Sequence, residues 1–325
     1  MNLGIIGCGL IGVKRAAGAG SNRVVAVTDV IPERAHKLAA QHSGCVAARD
    51  VGQLLQNPAV DAVVVATTHD QLVPMTMAAL KAGKHVLVEK PGARNSSELK
   101  PVLELARARN LVVKVGFNHR FHPSLLKARE IFLSDVMGPL MFIRGRYGHG
   151  ARIGYEKEWR ADAAISGGGE LVDQGSHLID LSRWFLGDFT DVSAYLPTCF
   201  WDMKVEDNAF MLLKTAHGQA AWLHATWTEW KNMFSMEIYG RTGKIQIDGL
   251  GGSYGPERLT YYQMLPQMGP PETKVFEFEK EDKSWALEME QFAAAISGCE
   301  TISAGMEDAY AVLSVIGLAY TASRG

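Results

Sequence analysis

Over the first third of the chain, apolar residues come in short continuous runs. They occupy residues 3–6 (LGII), 24–29 (VVAVTD), 60–66 (VDAVVVA), 85–88 (HVLV) and 111–115 (LVVKV). Helix-like patterns at 33–42, 70–82 and 96–109 alternate with them, and the stretch that follows GCGLIG and ends near Gly20 can form another helix. Unbroken apolar strands separated by helices predict a parallel sheet covered on both faces. Residues 1–118 are therefore expected to form a doubly wound α/β domain.

Beyond Pro123 the pattern changes. Helices are predicted near 124–134 and 170–186, and several β-rich segments with short turns fill 189–278, as in an antiparallel sheet. The glycine-rich tract 249–255 (GLGGSYG) lacks the Gly-Lys-Ser/Thr ending of a phosphate-binding loop and reads as a plain loop. From Ser284 onward two helices are expected, broken near 298–305. At 325 residues the chain exceeds one hydrophobic core. The division expected is 1–118 and 119–325, the second domain being α+β.

Composition narrows the function. A net charge of −2, with the 33 basic residues scattered along the chain, lacks the basic stripe of a nucleic-acid binder. No apolar run approaches the roughly 20 residues needed to span a bilayer. The opening MNLGIIGCG runs straight into a strand, so the cytoplasm is the expected location. The four cysteines form no CxxC pair, and no metal site is expected.

Gly7-Cys8-Gly9-Leu10-Ile11-Gly12 matches G-x-G-x-x-G between a strand and a helix. Gly7 would allow the tight turn, Gly9 the approach of a pyrophosphate, and Gly12 close packing of helix on sheet. Phosphate would face the helix N-terminus there. Asp29 closes the next strand, where a carboxylate accepts hydrogen bonds from a ribose diol and repels a 2′-phosphate. NAD is the expected cofactor, with NADP left open by the nearby Arg34. The plain alternative is a glycine turn and an acid that merely ends a strand.

Three later segments offer chemistry. Glu89-Lys90-Pro91 follows a buried-looking strand, and an ammonium at Lys90 could stabilise a reacting oxygen; otherwise it is a solvated charge. In Gly167-Gly168-Gly169-Glu170-Leu171-Val172-Asp173-Gln174-Gly175-Ser176-His177, a helix beginning near Gly169 would put Asp173 and His177 on one face. His177 suits a general base, with Asp173 orienting it or holding a substrate hydroxyl; alternatively Asp173 serves the helix dipole. Asn118, His119 and Arg120 stand at the expected domain junction and could bind a hydroxylated ligand, although Arg120 reads equally as an ion-pair partner. Trp159 and Arg160 lie in a long loop, over the site or as its anchor. In the strand 222–227, Trp222, His224 and Thr226 share one face, suited to core packing or to a subunit contact.

The order GCGLIG, Asp29, EKP and GGGELVDQGSHLID resembles the glucose-fructose oxidoreductase, inositol dehydrogenase and rhizopine catabolism family (Gfo/Idh/MocA), over nearly the whole chain. The resemblance implies an N-terminal Rossmann domain and a C-terminal domain with a large, open, mostly antiparallel sheet that packs subunits into a homodimer or homotetramer. It implies a catalytic set of Lys90, Asp173 and His177, a cis peptide before Pro91, and cofactor contacts from Leu10, Ile11, Thr67, Thr68, His69, Glu89 and Lys90. The loop Thr67-Thr68-His69-Asp70-Gln71-Leu72 departs from the family's Thr-Pro-Asn-x-x-His, which puts its contacts in doubt. The activity implied is NAD-dependent hydride transfer at a hydroxyl or keto carbon of a sugar, sugar derivative or inositol. An NAD-dependent glycosidase and a non-catalytic sensor of NAD or sugar are the alternatives.

Overall fold

The computed structural model describes residues 1–324. They form two compact units, Met1–Asn118 with Trp285–Tyr310, and His119–Ser284 with the described residues from Ala311 onward.

In the first unit the apolar runs become parallel strands. β1 (Asn2–Ile6), β2 (Arg23–Thr28), β3 (Val46–Ala47), β4 (Ala62–Val65), β5 (His85–Glu89) and β6 (Val113–Gly116) stand in the order β3-β2-β1-β4-β5-β6. Every residue of β4 is buried, as a strand covered on both faces requires. Between the strands run α1 (Leu10–Ala17), α2 (Pro32–Ala39), α3 (Val51–Gln56), α4 (His69–Lys81) and α5 (Lys100–Arg109). β3 and α3 are additions to the expected pattern, since two strand residues leave no periodicity. Strand order reverses between β1 and β4, and ligands of such sheets bind outside the strands' carboxyl ends at that switch point.

The second unit holds α6 (Pro123–Leu133), β7 (Leu140–Gly148), α7 (Ala163–Ser166), α8 (Ser176–Leu186) and the strands β8 (Phe189–Tyr195), β9 (Asn208–Thr215), β10 (Ala220–Thr226), β11 (Met233–Gly240), β12 (Gly243–Asp248), β13 (Arg258–Gln263) and β14 (Glu272–Glu277). The sheet order is β14-β13-β12-β11-β7-β10-β9-β8, and β7 pairs in parallel only with β10. Alternation is clear: Phe234, Met236 and Ile238 of β11 are buried, with Ile245 and Ile247 of β12. The opposite face carries aromatic rings. Phe142 stacks on Tyr239 at 4.3 Å and Phe210 on His224 at 4.1 Å, while Tyr195 and Trp222 are exposed. His224 is half-buried and Thr226 buried, so the expected face of β10 fades toward its end.

The domain limits expected from sequence need correction at the C-terminal side. α9 (Ser284–Ile296) sends Met289 and Phe292 into one core cluster with Leu3, Ile5, Val27 and Leu87. The Val115 amide then donates to the Ala304 carbonyl at 2.9 Å. Apolar burial and a backbone bridge thus return 285–310 to the first unit, before α10 (Met306–Ala322) ends the chain. Among the described residues no helix is long and apolar enough to cross a membrane.

A buried charge triad strengthens this return. The Arg15 guanidinium on α1 is fully enclosed, donates to Glu89 at 2.6 Å and pairs with Glu288 of α9. It also lies over the Trp285 ring at 4.5 Å. Replacing Arg15 by Met would leave two buried carboxylates facing each other without a cation. Loss of one partner from a buried ion cluster costs about 3–5 kcal/mol. Urea denaturation of Arg15→Met should show a loss of that size, and a loss below about 1 kcal/mol would rule out the triad as a structural tie.

In the second unit, buried Asp207 organises residues 199–201. Its carboxylate accepts the amides of Cys199 at 2.7 Å, Phe200 at 2.8 Å and Trp201 at 3.0 Å. Burial alone would raise its pKa, but these amides and the Asn208 side chain outweigh it and hold the carboxyl below its ordinary value. A depressed folded-state pKa stabilises the fold above the ordinary carboxylate pKa of about 4, and that contribution fades as pH falls through the folded value. The advantage of the wild type over Asp207→Asn, from urea midpoints, should therefore be full at neutral pH and shrink below about pH 4. An advantage constant from neutral to strongly acid pH would contradict this.

Candidate active site

At the end of β1 the backbone turns through Gly7, whose φ is +95°. A Cβ there would run into the Ala66 carbonyl, and one at Gly12 would run into the Gly7 carbonyl. A Cβ at Gly9 would meet nothing within 4 Å, so that glycine borders open space. No side chain caps the N-terminus of α1. The turn therefore presents helix amides beside an open approach, the donor set that a pyrophosphate uses.

Asp29 follows β2 and is half-buried. One carboxylate oxygen accepts the Cys8 amide at 2.6 Å and the other the Ile31 amide at 2.8 Å. The acid is thus fixed against the glycine turn, with further lone pairs for ribose hydroxyls. The Cys8 thiol, buried and near Asp29, is pushed up to about 12 and is not a nucleophile at neutral pH. These residues fit a dinucleotide.

The other expected contacts of this unit fall into two groups. Thr67 and Thr68 precede α4, where the Thr68 hydroxyl donates to Asp70 at 2.6 Å, and buried His69 opens the helix. The packing of Ala66 against Gly7 keeps this segment beside the glycine turn. Glu89 is held by Arg15, so its carboxylate serves the buried triad. Lys90 stands half-buried at the end of β5, and its peptide bond to Pro91 is cis. Asn118, also buried, ends the segment Met1–Asn118 of this unit.

In the second unit the glycine-rich segment enters α8 through a wide, π-type turn, Leu171–Gly175. Such turns replace a regular first helical turn and often accompany function. Asp173 lies on the turn, His177 in the first turn of α8, and both are buried. Arg160 donates from Nε to Asp173 at 3.1 Å. Burial works against the guanidinium's charge, but Asp173, Tyr155 and Glu158 more than restore it, so Arg160 is held cationic. The His177 ring stacks on His119 at 3.7 Å, and Tyr147 meets His119 edge-on at 5.2 Å.

Three phenols surround this polar group. Burial, reinforced by neighbours including Asp173 and Glu170, drives Tyr147 and Tyr155 well above the ordinary phenol range. Burial likewise pushes Tyr254 up to about 12. All three remain protonated near neutrality and can donate hydrogen bonds. Tyr254 accepts from the Gln174 side chain at 3.1 Å, and its ring lies 4.9 Å from that of Tyr147.

Within the second unit, then, His119, Arg160, Asp173 and His177 gather in one polar cluster. Trp159 lies against the Arg160 guanidinium at 4.5 Å, which makes this loop an anchor as well as a ligand of Asp173. Arg120 is different. It makes a two-point pair with Asp180, at 2.8 Å and 2.5 Å, with both side chains buried. This favours the ion-pair alternative over substrate contact. Sequence reasoning missed Tyr147, Gln174 and Tyr254; the last sits in the tract read as a plain loop, whose positive-φ glycines 249, 251, 252 and 255 carry it into the cluster. Among the described residues no group of three or more His, Cys, Asp or Glu is arranged to hold a metal ion.

Comparison with known proteins agrees with this architecture. Residues 1–117 match the model of the oxidoreductase family with NAD-binding Rossmann fold, and residues 125–246 match the GFO/IDH/MocA C-terminal domain. Levoglucosan dehydrogenase of Pseudarthrobacter phenanthrenivorans is 26% identical over 288 residues, covering 75% of this chain and 73% of the relative. Inositol 2-dehydrogenase 2 of Saccharopolyspora erythraea is 32% identical over 226 residues, covering 67% of this chain and 64% of the relative. The crystal structure of an NAD binding oxidoreductase from Klebsiella pneumoniae superposes with a TM-score of 0.88 at 22% identity, over 100% of this chain and 97% of the other, a likeness of fold. Matched in both of its halves, the chain belongs to the Gfo/Idh/MocA family of oxidoreductases and carries that family's NAD-binding Rossmann domain.

Proposed function

We propose that this oxidoreductase dehydrogenates a secondary alcohol of a sugar, sugar derivative or inositol with NAD, or reduces the matching ketone. The observation that carries the reading is the second unit's cluster of buried His177, His119 and Asp173 with half-buried Arg160, ringed by protonated phenols. Aligned donors and acceptors of this density suit a ligand with several hydroxyls. Relatives bearing the names levoglucosan dehydrogenase and inositol 2-dehydrogenase support the same class.

Oxidation of an alcohol releases a hydride and a proton. NAD, held by the glycine turn and Asp29, would supply the hydride acceptor. In this reading the His177 imidazole takes the hydroxyl proton, and the Lys90 ammonium stabilises the charge that develops on oxygen. Asp173, fixed by Arg160, orients His177 or a neighbouring substrate hydroxyl. Asn118, His119 and Trp159 complete the proposed substrate contacts, and Gly7, Gly9, Gly12 and Asp29 hold the dinucleotide. Asp29 favours NAD over NADP because its charge opposes a 2′-phosphate. We assign the aromatic open face of the second unit's sheet to packing against a second copy, in a homodimer or homotetramer, which light scattering on the purified protein would measure. Four free cysteines suit the reducing cytoplasm.

The test is NADH formation over a panel that includes myo-inositol and levoglucosan. Lys90→Ala and His177→Ala should each lower kcat/KM by at least about 100-fold, the scale of lost acid-base or oxyanion support. Undiminished turnover in Lys90→Ala would remove that residue from the chemistry. Release of aglycone from an aryl glycoside with no net NADH would convert the assignment to a glycosidase, and tight NAD binding without turnover of any polyol would make the protein a sensor.

A further inference from the structure

The turn bearing Asp173 and His177 starts with a difficulty. Its first amides are buried, and the side chain of the preceding residue, Glu170, does not cap it. The local sequence is glycine because nothing larger fits: a Cβ at Gly168 would strike the Tyr320 hydroxyl, and one at Gly169 would strike the Glu206 carbonyl.

The missing acceptors come from a distant strand approach. Glu206 Oε1 accepts the amides of Gly169 at 3.0 Å and Leu171 at 3.1 Å, and its carbonyl accepts the Glu170 amide at 3.0 Å. One residue thus receives three successive amides. Tyr320, on the part of α10 that belongs to the second unit, donates its hydroxyl to the same Oε1 at 2.7 Å and accepts from Gly169 at 3.3 Å. Glu206 is buried, and burying a carboxylate is expensive where a serine or asparagine caps an ordinary helix. Burial raises the Glu206 pKa against the opposing pull of the Tyr320 hydroxyl and the backbone amides; in its ionised form the carboxylate adds charge-assisted hydrogen bonding, stronger than a neutral cap, at the helix end that favours negative charge.

We propose that Glu206 and Tyr320 are positioning residues, a latch that sets the direction of the 169–175 turn and thereby the placement of Asp173 and His177. The proposal rests on the functional reading above for its purpose, but the latch itself is measurable without substrate. It concerns geometry only, since neither residue is given contact with the reacting atoms.

Hydrogen exchange and NMR test it. In Glu206→Ala, amides of 168–177 should exchange at least about tenfold faster, the opening expected when one or two buried hydrogen bonds are lost. The His177 ring should shift its titration midpoint by about 0.5 pH unit or more as its surroundings change. Glu206→Gln, which keeps an accepting oxygen, should restore most of both properties, and Tyr320→Phe should move them in the same direction by less. Ile245→Ala, a cavity on the buried face of β12, should lower the melting temperature while leaving both readings at the wild-type value. If Glu206→Ala fails to fold, Tyr320→Phe and Glu206→Gln carry the test. Exchange and His177 titration no different from Ile245→Ala would overturn the latch. Absence of polyol turnover in the wild type would instead sink the functional reading and leave these measurements decisive for the latch.

Discussion

Backbone packed too closely for any side chain governs both parts of the molecule to which we assign chemistry. At the first turn the Gly7 carbonyl occupies the place where a Cβ of residue 12 would go; at the second, Tyr320 and Glu206 occupy the places beside residues 168 and 169. In each case the close approach brings the first amides of a helix to a point where an acceptor is needed. The two turns resolve that need in opposite ways. The N-terminus of α1 has no side-chain cap and opens beside Gly9, as a binding site for a dinucleotide phosphate requires. The turn before α8 is filled by a carboxylate of the chain itself. The same backbone chemistry is left open where a ligand is to be held and closed where side chains are to be aimed.

Buried charge does comparable work around β5. Arg15 links the helix after the glycine turn to Glu89 and to Glu288, so three chain segments far apart in sequence share one enclosed cation. Its pairing with Glu89 makes that residue, one position before Lys90, part of the scaffold. The Lys90 backbone inherits a fixed starting point from that pairing, whatever its side chain contacts. Arg120 with Asp180 plays a similar part in the second unit, beside a polar cluster that it does not itself have to enter.

Features with a local period or a local steric rule were legible in the sequence. Five of the six parallel strands came from apolar runs, the glycine turn from its spacing, and the turn toward His177 from three glycines before a helical pattern. What escaped was set by contacts distant along the chain. β3 was too short to show a period, and the return of 285–310 depended on Met289 and Phe292 meeting Leu3 and Ile5 across the whole sequence. Arg120 read equally as a ligand and as an ion-pair partner, because Asp180, the partner that favours the second reading, lies sixty residues on. Tyr254 and Glu206 had no local signal: one stands in a glycine tract, the other precedes a strand, and only the tertiary fold brings them to the cluster and to its turn.

Asp29 shows how a legible residue gains meaning from its fixation. Sequence placed an acid at the end of β2, but an acid free to rotate would exclude a 2′-phosphate only weakly, since it could swing its charge toward solvent. Here one oxygen is tied to the Cys8 amide and the other to the Ile31 amide, so the carboxylate is locked to the glycine turn. The repulsion in its proposed role is therefore built into the backbone around it. The same bonds mean that replacing the acid to admit NADP also strips an acceptor from Cys8, between the glycines that are to hold the pyrophosphate. In that proposed role, cofactor choice and the shape of the phosphate turn would be coupled through one side chain, and a change in the first would have to be compensated in the second.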